Sequence, residues 1–218
     1  MPQNPVLPSV SPSATPSITS LTPVLGRNGK PRDPAAMLET LKREWGGQTD
    51  LWMFGYASLI WRPEFEFDEQ RFATLPGYHR ALKMWSRVNR GTPECPGLVF
   101  GLLPGGSCKG MIFRVPKAKV LSMLPDLWAR EMPTGVYDPK WLRCRTAKGD
   151  VTALAFTLSK RSPNHTGVLS PTQYRQIFLT AVGRYGSTRE YAQLTYDKLK
   201  SLGIEDAALG KLLALAVD

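Results

Sequence analysis

This chain is poor in the side chains that covalent and metal chemistry draw on. It has two histidines, His79 and His165, far apart in sequence. Its three cysteines, Cys95, Cys108 and Cys144, are an odd number with no CxxC spacing. Neither group has the spacing of a zinc site, and a nucleophile–histidine pair has little to build on, so no metal and no cofactor is expected. Dispersed, unpaired cysteines suit a reducing cytoplasm. No apolar run approaches the ~20 residues of a membrane span, and the N-terminus lacks the basic-then-apolar pattern of an export signal. A cytoplasmic chain with no membrane attachment is therefore expected. Acidic residues are also few, 18 against 28 lysines and arginines, for a formal net charge of +10. The basic residues are scattered, with no basic run interleaved with aromatics and no recognition-helix pattern, so nucleic acid is not the expected partner. A positive field can equally attract a small acidic substrate.

What is present is a chain of 218 residues, long for one domain and short for two, and 42% hydrophobic, enough for a substantial core. Residues 1–32 are rich in Pro, Ser and Thr, contain no acid and show no periodicity. They cannot bury enough to offset chain entropy, which predicts a disordered tail. A helix is expected next, capped by Asp33, with Pro34 at its first position, an apolar stripe of Met37, Leu38, Leu41 and Trp45, and Gly46 as its stop. Residues 51–54 read as a buried strand. The segment after Trp61, punctuated by Pro63, Pro76 and Gly77, reads as a loop, and residues 79–86 as a strand. Residues 98–103 and 108–115 flank Pro104-Gly105-Gly106-Ser107 and predict a hairpin. A helix over residues 118–132 carries Val120, Leu124, Leu127 and Trp128 on one face, with a kink or restart expected at Pro125. Residues 141–146 and 151–158 predict a second hairpin. Ser170 with Gln173, and Ser187 with Glu190, are capping boxes that open helices, and a short last helix carries Leu209, Leu212 and Leu213. Hairpins early and helices late favour an α+β domain with a largely antiparallel or barrel-like sheet.

Two places attract chemistry. At the end of the first strand, Gly55, Tyr56, Ala57 and Ser58 follow one another. Small residues there let the backbone approach a ligand and release N–H groups that can hold an anion or oxyanion; an ordinary turn has the same composition. Glu131 continues the apolar stripe of its helix at the C-terminal end, where burial and the helix dipole both disfavour its charge. Both raise its pKa and suit a general acid/base, while an ion pair with Arg130 would make it merely structural. Tyr56, Tyr137 and Tyr191 are hydroxyl partners for a polar ligand or core tyrosines. Arg90, in a polar loop, could hold a carboxylate or face solvent.

FGYASLIW, LPGYHR, RGTPE, PGLVFGLLPGGSCKG and LWAREM, in that order, together with the later GSTREYAQLTYDKLKSLGI, resemble the ChaC-like family of glutathione-specific γ-glutamylcyclotransferases. The resemblance runs roughly over residues 51–213. It implies a small mixed β-barrel with packed helices, α+β in class, as a single catalytic domain over residues 33–218. It implies that the segment Tyr56-Ala57-Ser58-Leu59, entered through Met53, Phe54 and Gly55, holds the γ-glutamyl group by its backbone. Glu131 of the Arg130-Glu131 pair would be the catalytic glutamate, with Arg90, Tyr137 and Tyr191 among the substrate contacts. The substrate would be glutathione and the products 5-oxoproline and cysteinylglycine, with no cofactor. Ala57 replaces the family's usual Gly, which requires a negative φ there; Cys95 stands where an arginine is expected, and Thr188 where an asparagine is usual. Other γ-glutamyl peptides or amines are the alternative substrates, and a non-catalytic binding module the alternative of another class.

Overall fold

Two very long strands dominate the architecture of this computed structural model, which describes residues 24, 25 and 29–216. The tail expected over residues 1–32 lies mostly outside the described residues. Its described end is held against the domain. Val24 is buried, Leu25 and Pro31 form an isolated bridge, and Arg32 pairs with Asp138 at 2.8 Å.

Helix α1, Pro34–Trp45, begins as expected: the Asp33 carboxylate accepts from the Ala35 and Ala36 N–H groups at 2.9 and 3.1 Å. It ends at Gly46, whose φ of 71° is the left-handed conformation that glycine adopts without strain. Strand β1, Leu51–Gly55, follows and passes through a tight turn into a single helical turn, α2, Ser58–Trp61.

Strands β2, Glu69–Ser86, and β3, Gly97–Val115, then pair antiparallel along almost their full lengths. Two expectations fail here. The loop expected up to residue 78 is strand from Glu69 onward, and the hairpin expected around Pro104 does not form. The register instead shifts between Pro76 and Tyr78, opposite Pro104 to Ser107, with Gly77, Gly105 and Gly106 all at positive φ. Pro and Gly thus mark a bulge at which both strands bend together, because each faces the other's interruption. His79 Nδ1 lies 2.8 Å from the Gly105 carbonyl across this corner.

Helix α3, Lys117–Glu131, is continuous through Pro125, so no restart occurs. It buries Val120, Leu124, Leu127 and Trp128, the predicted stripe. The hairpin of β4, Asp138–Thr146, and β5, Gly149–Thr157, forms as read. Both capping boxes are present, on α4, Pro171–Thr180, and α5, Thr188–Ser201. Between these helices lies a small unpredicted ribbon, β6, Val182–Gly183, with β7, Gly186–Ser187. Helix α6, Ala207–Ala214, comes last, its N-terminus capped by Asp206.

The five main strands close into a barrel in the order β1-β3-β2-β4-β5, with β1 and β5 joined in parallel at Met53 and Leu154. Phe54, Phe113, Phe156, Leu98, Leu102 and Ile112 are among the fully buried side chains that fill it. Burying each is worth roughly 1.5–3 kcal/mol. Because β1 has only five residues, it covers β3 from Met111 to Val115 and leaves the earlier part of that edge without a strand. Backbone groups on a buried edge need other partners. Here the Leu98 N–H donates to Thr188 Oγ1 at 2.8 Å, the Phe100 N–H to the Tyr191 hydroxyl at 3.4 Å, and the Leu158 N–H to the Leu102 carbonyl at 2.9 Å. The Phe100 carbonyl accepts from the Tyr137 hydroxyl at 3.4 Å. No helix among the described residues is long and apolar enough to cross a membrane.

Candidate active site

The candidate site gathers at this covered edge. Tyr56 turns off the end of β1 and donates its hydroxyl to the Phe156 carbonyl at 3.2 Å. Tyr137, just before β4, hydrogen-bonds to Tyr56 as well as to Phe100. Tyr191, one turn into α5, accepts from Phe100 and from the Ser58 hydroxyl. All three are buried. Burial raises the phenol pKa of each, that of Tyr191 to about 12, and the Glu131 charge raises all three further. The three hydroxyls are therefore neutral at physiological pH and keep the proton that lets a phenol donate.

Glu131, the last residue of α3, brings a carboxylate whose charge acts on all three tyrosines. Its side chain is 14% exposed. Desolvation raises its pKa above the usual carboxylate value; the Arg130 guanidinium, 3.1 Å away, pulls it back, and the Glu64 charge adds to the rise. The ion-pair reading and the buried-carboxylate reading thus hold together. Arg130 is itself fixed by the Arg62 carbonyl at 2.7 Å, the Pro63 carbonyl at 3.4 Å and Glu64 at 2.7 Å, so the pair is anchored to the exit of α2.

In the turn between β1 and α2, the Ile60 N–H makes the first helical bond, to the Ala57 carbonyl at 2.9 Å. The N–H groups ahead of it are not used by the helix. Ala57 has φ −144°, so the negative value that its methyl group requires is met. At Gly55 an added Cβ would lie 3.0 Å from the Phe113 ring and 3.2 Å from the Leu59 Cβ, closer than side chains tolerate without movement. Met53 and Phe54 are fully buried in the barrel wall with their backbones in the ladder, and Leu59 packs into the core. These three support the turn from behind.

Arg90 is buried at 8% exposure, with its guanidinium 5.0 Å over the Tyr191 ring and donating to the Tyr185 carbonyl. Thr188 is fully buried and joins two backbones, accepting from Leu98 and donating to the Arg90 carbonyl at 3.2 Å. An added Cβ on Gly97 would sit 1.9 Å from that carbonyl, so only glycine allows the approach. Cys95, by contrast, lies at the edge of the loop with its thiol 3.6 Å from Thr180 Oγ1. Two open clefts, of about 390 Å³ beside α1 and about 500 Å³ beside the end of α5, are lined by none of the tyrosines, Glu131 or Arg90. Among the described residues no cluster of three or more His, Cys, Asp or Glu could hold a metal ion.

The ChaC-like protein family matches residues 51–217, three quarters of the chain and all of this site. This chain belongs to that family. It is 34% identical over 164 residues to the glutathione-specific γ-glutamylcyclotransferase of Escherichia coli, covering 75% of this chain and 71% of that one. It is 29% identical over 178 residues to the human glutathione-specific γ-glutamylcyclotransferase 1, covering 79% of each. Among solved structures, a yeast γ-glutamylcyclotransferase specific to glutathione shares the fold at a TM-score of 0.70 and 18% identity, covering 78% of this chain and 96% of that one.

The ChaC-like motifs of this chain converge: Tyr56 and Ser58 from the first, Glu131 from the helix, and Tyr191 from the C-terminal region form one constellation. Sequence reasoning missed Arg80, whose buried side chain meets the Tyr56 carbonyl from the far side of the turn. Its signal was present, since Arg80 shares the strand parity of Leu82, Met84 and Ser86, all buried.

Proposed function

We propose that this protein cleaves glutathione by intramolecular cyclisation, with Glu131 as the proton-transfer group. The observation that carries the reading is one buried carboxylate of raised pKa among three neutral tyrosine hydroxyls, next to a turn with N–H groups the helix does not use. The substrate's α-ammonium gives a proton to Glu131, and the freed nitrogen attacks the γ-carbonyl carbon. A new C–N bond closes the five-membered ring, and negative charge develops on the carbonyl oxygen, where the N–H groups of residues 57–59 can stabilise it. As the tetrahedral species collapses, the amide C–N bond breaks, Glu131 returns its proton to the leaving nitrogen, and Glu131 then carries the surplus proton of the ring nitrogen to the same amine, leaving a neutral lactam and an ammonium group. The products are 5-oxoproline and cysteinylglycine.

Elementary chemistry supports this division of labour. Well-oriented intramolecular reactions reach effective molarities of ~10⁵ M or more, so folding the flexible glutamyl chain supplies much of the rate. A carboxylate whose pKa is raised is a stronger base than an ordinary one and still reprotonates a departing amine. In this reading Arg90 and the tyrosine hydroxyls hold the carboxylate and backbone of the substrate, and the positive charge of the chain favours its approach. The catalytic domain is residues 33–218. The free thiols Cys95, Cys108 and Cys144 fit a cytoplasmic setting, where glutathione is abundant and disulfides do not persist.

The test is release of 5-oxoproline from glutathione, γ-glutamylcysteine and simple γ-glutamyl dipeptides by the purified protein. Turnover of glutathione well above the others is the expected result. Equal or faster turnover of the dipeptides would move the activity to a broader class of γ-glutamyl substrates, and release from none of them would overturn the proposal.

A further inference from the structure

Arg80 is the one arginine of β2 whose charge is sunk beneath the β1–α2 turn, with a side chain only 5% exposed. Its Nε and Nη2 fork onto Asp206 Oδ2 at 3.0 and 2.9 Å. Its Nη1 donates to the Tyr56 carbonyl at 2.8 Å and the Lys109 carbonyl at 3.1 Å, and lies 3.8 Å from Cys108 Sγ. Asp206 is held in turn by the Leu209 N–H, which donates to its other oxygen at 2.9 Å as the cap of α6. The guanidinium therefore has no loose orientation. It is pinned by a carboxylate and spans two carbonyls, a geometry that needs a planar fork and that an ammonium cannot copy.

Among the described residues every peptide bond is trans. In a trans peptide plane the N–H points opposite to the C=O. With the Tyr56 carbonyl drawn to Arg80, the Ala57 N–H is turned away from it. The two sides of the turn differ: Arg80 faces Cys108, Lys109 and Asp206, while the Tyr56 and Tyr191 hydroxyls meet Phe156, Phe100 and Ser58.

We infer that Arg80, set by Asp206, is a positioning residue that aims the Ala57 N–H into the site as a donor to the developing oxyanion. The inference rests on the cyclotransferase reading and adds to it a link from α6 to the chemical step. Arg80 itself touches no reacting atom. A donor that matters chiefly in the transition state affects kcat more than substrate affinity.

The experiment compares wild type, Arg80→Lys and Asp206→Asn for 5-oxoproline release from glutathione. Glutathione affinity and stoichiometry are measured in parallel by calorimetry in a Glu131→Gln background. Arg80→Lys keeps the charge but cannot fork. Its kcat is expected to fall about tenfold or more, short of the ~10²–10³ seen when an oxyanion donor is removed outright. Affinity should stay within about threefold and stoichiometry unchanged. Asp206→Asn should lose less, since Arg80 still reaches both carbonyls, and it carries the test if Arg80→Lys does not fold. A folded Arg80→Lys with kcat within about twofold of an active wild type would overturn the inference and leave the cyclotransferase reading intact. A kcat loss matched by an equal loss of affinity or of binding sites would also overturn it, because that is what a merely structural arginine predicts. A wild type without turnover on any γ-glutamyl substrate would overturn both.

Discussion

At the end of α3 a carboxylate is sunk among tyrosines with one arginine for company. Along the outer faces of β2 and β3 the same chemical group is laced among cations. Glu69 accepts from Arg71 at 2.7 and 2.9 Å and pairs with Lys148 at 3.1 Å and Arg114 at 3.7 Å. Those bonds hold its pKa down to about 2, whereas burial drives that of Glu131 up despite the Arg130 pair. Both residues are glutamates in ion pairs, so pairing alone does not set the shift. The number of cations and the access of water do. The signs for stability are opposite as well. Glu131 has its folded pKa above the unfolded one, so its favourable contribution is complete below the ordinary carboxylate value and is lost as pH rises through the folded value. Glu69 has its folded pKa below the unfolded one, so its contribution is present above the ordinary value and fades as pH falls toward about 2.

The largest effect expected from this contrast is at Glu131. Glu131→Gln keeps the size of the side chain but cannot accept the ammonium proton. General acid–base catalysis contributes about 10²–10⁴-fold, and in the proposed mechanism one residue serves both transfers, so the loss in kcat should reach the upper end of that range. The same variant should melt at a higher temperature than wild type at neutral pH, because it removes a buried charge. A variant that keeps more than about a tenth of wild-type kcat would move the base elsewhere, although Glu94 lies exposed in its loop and Asp138 is engaged by Arg32.

A smaller effect should follow from Arg130→Gln. Arg130 is what pulls the Glu131 pKa down, so its removal raises it further. The base must be ionised to act, and the acidic limb of the pH profile of kcat/KM should therefore move to higher pH. The deficit against wild type should shrink as pH rises. A profile that falls equally at all pH values would mean that Arg130 acts only by bracing the exit of α2.

On the other side of the comparison, Glu69→Gln should leave kcat unchanged and lower Tm slightly at neutral pH, the reverse of Glu131→Gln in both respects. The Tm difference should vanish in acid as the wild-type carboxylate takes up its proton. Exposed pairs of this kind contribute little individually, and a rise in Tm would show that the lattice of charges on β2 and β3 carries net repulsion.

The smallest effect should come from removing residues 1–32. The protein beginning at Asp33 should keep wild-type kcat. A modest loss of stability is expected from the missing burial of Val24 and the Arg32–Asp138 pair. A large fall in kcat in a folded truncated protein would give the segment a part in the site.

Legibility in the sequence followed the range of the interactions. The caps at Asp33, Ser170 and Ser187 were readable because donor and acceptor lie within three residues. The stripe that leads to Glu131 was readable because a helix repeats its faces locally. Pro104-Gly105-Gly106-Ser107 was misread because a turn and a bulge share one composition. Only the partner strand's own interruption at Gly77 decides between them, and that lies elsewhere in the chain. The candidate tyrosines were visible as residue types, but not as a cluster, because Tyr56, Tyr137 and Tyr191 come from three separate elements. The inward face of Arg80 was legible from strand parity, but its role was hidden for the same reason, as its carboxylate partner lies 126 positions away.

That distance has a consequence for how the protein is made. Trp61, at the exit of the turn, hydrogen-bonds to Thr195 across 134 positions, and Arg80 reaches Asp206 across 126. At the ~5–20 residues per second of ribosomal elongation, the first half of the site leaves the ribosome on the order of ten seconds before the second half exists. Until then the open edge of β3 has no helix to cover it. A nascent chain stalled before α5 would carry the β1–α2 turn and Glu131 without Tyr191, Thr188 or Asp206 to hold them. On the proposed reading it would not turn over glutathione, and activity would appear only after α6 has been made.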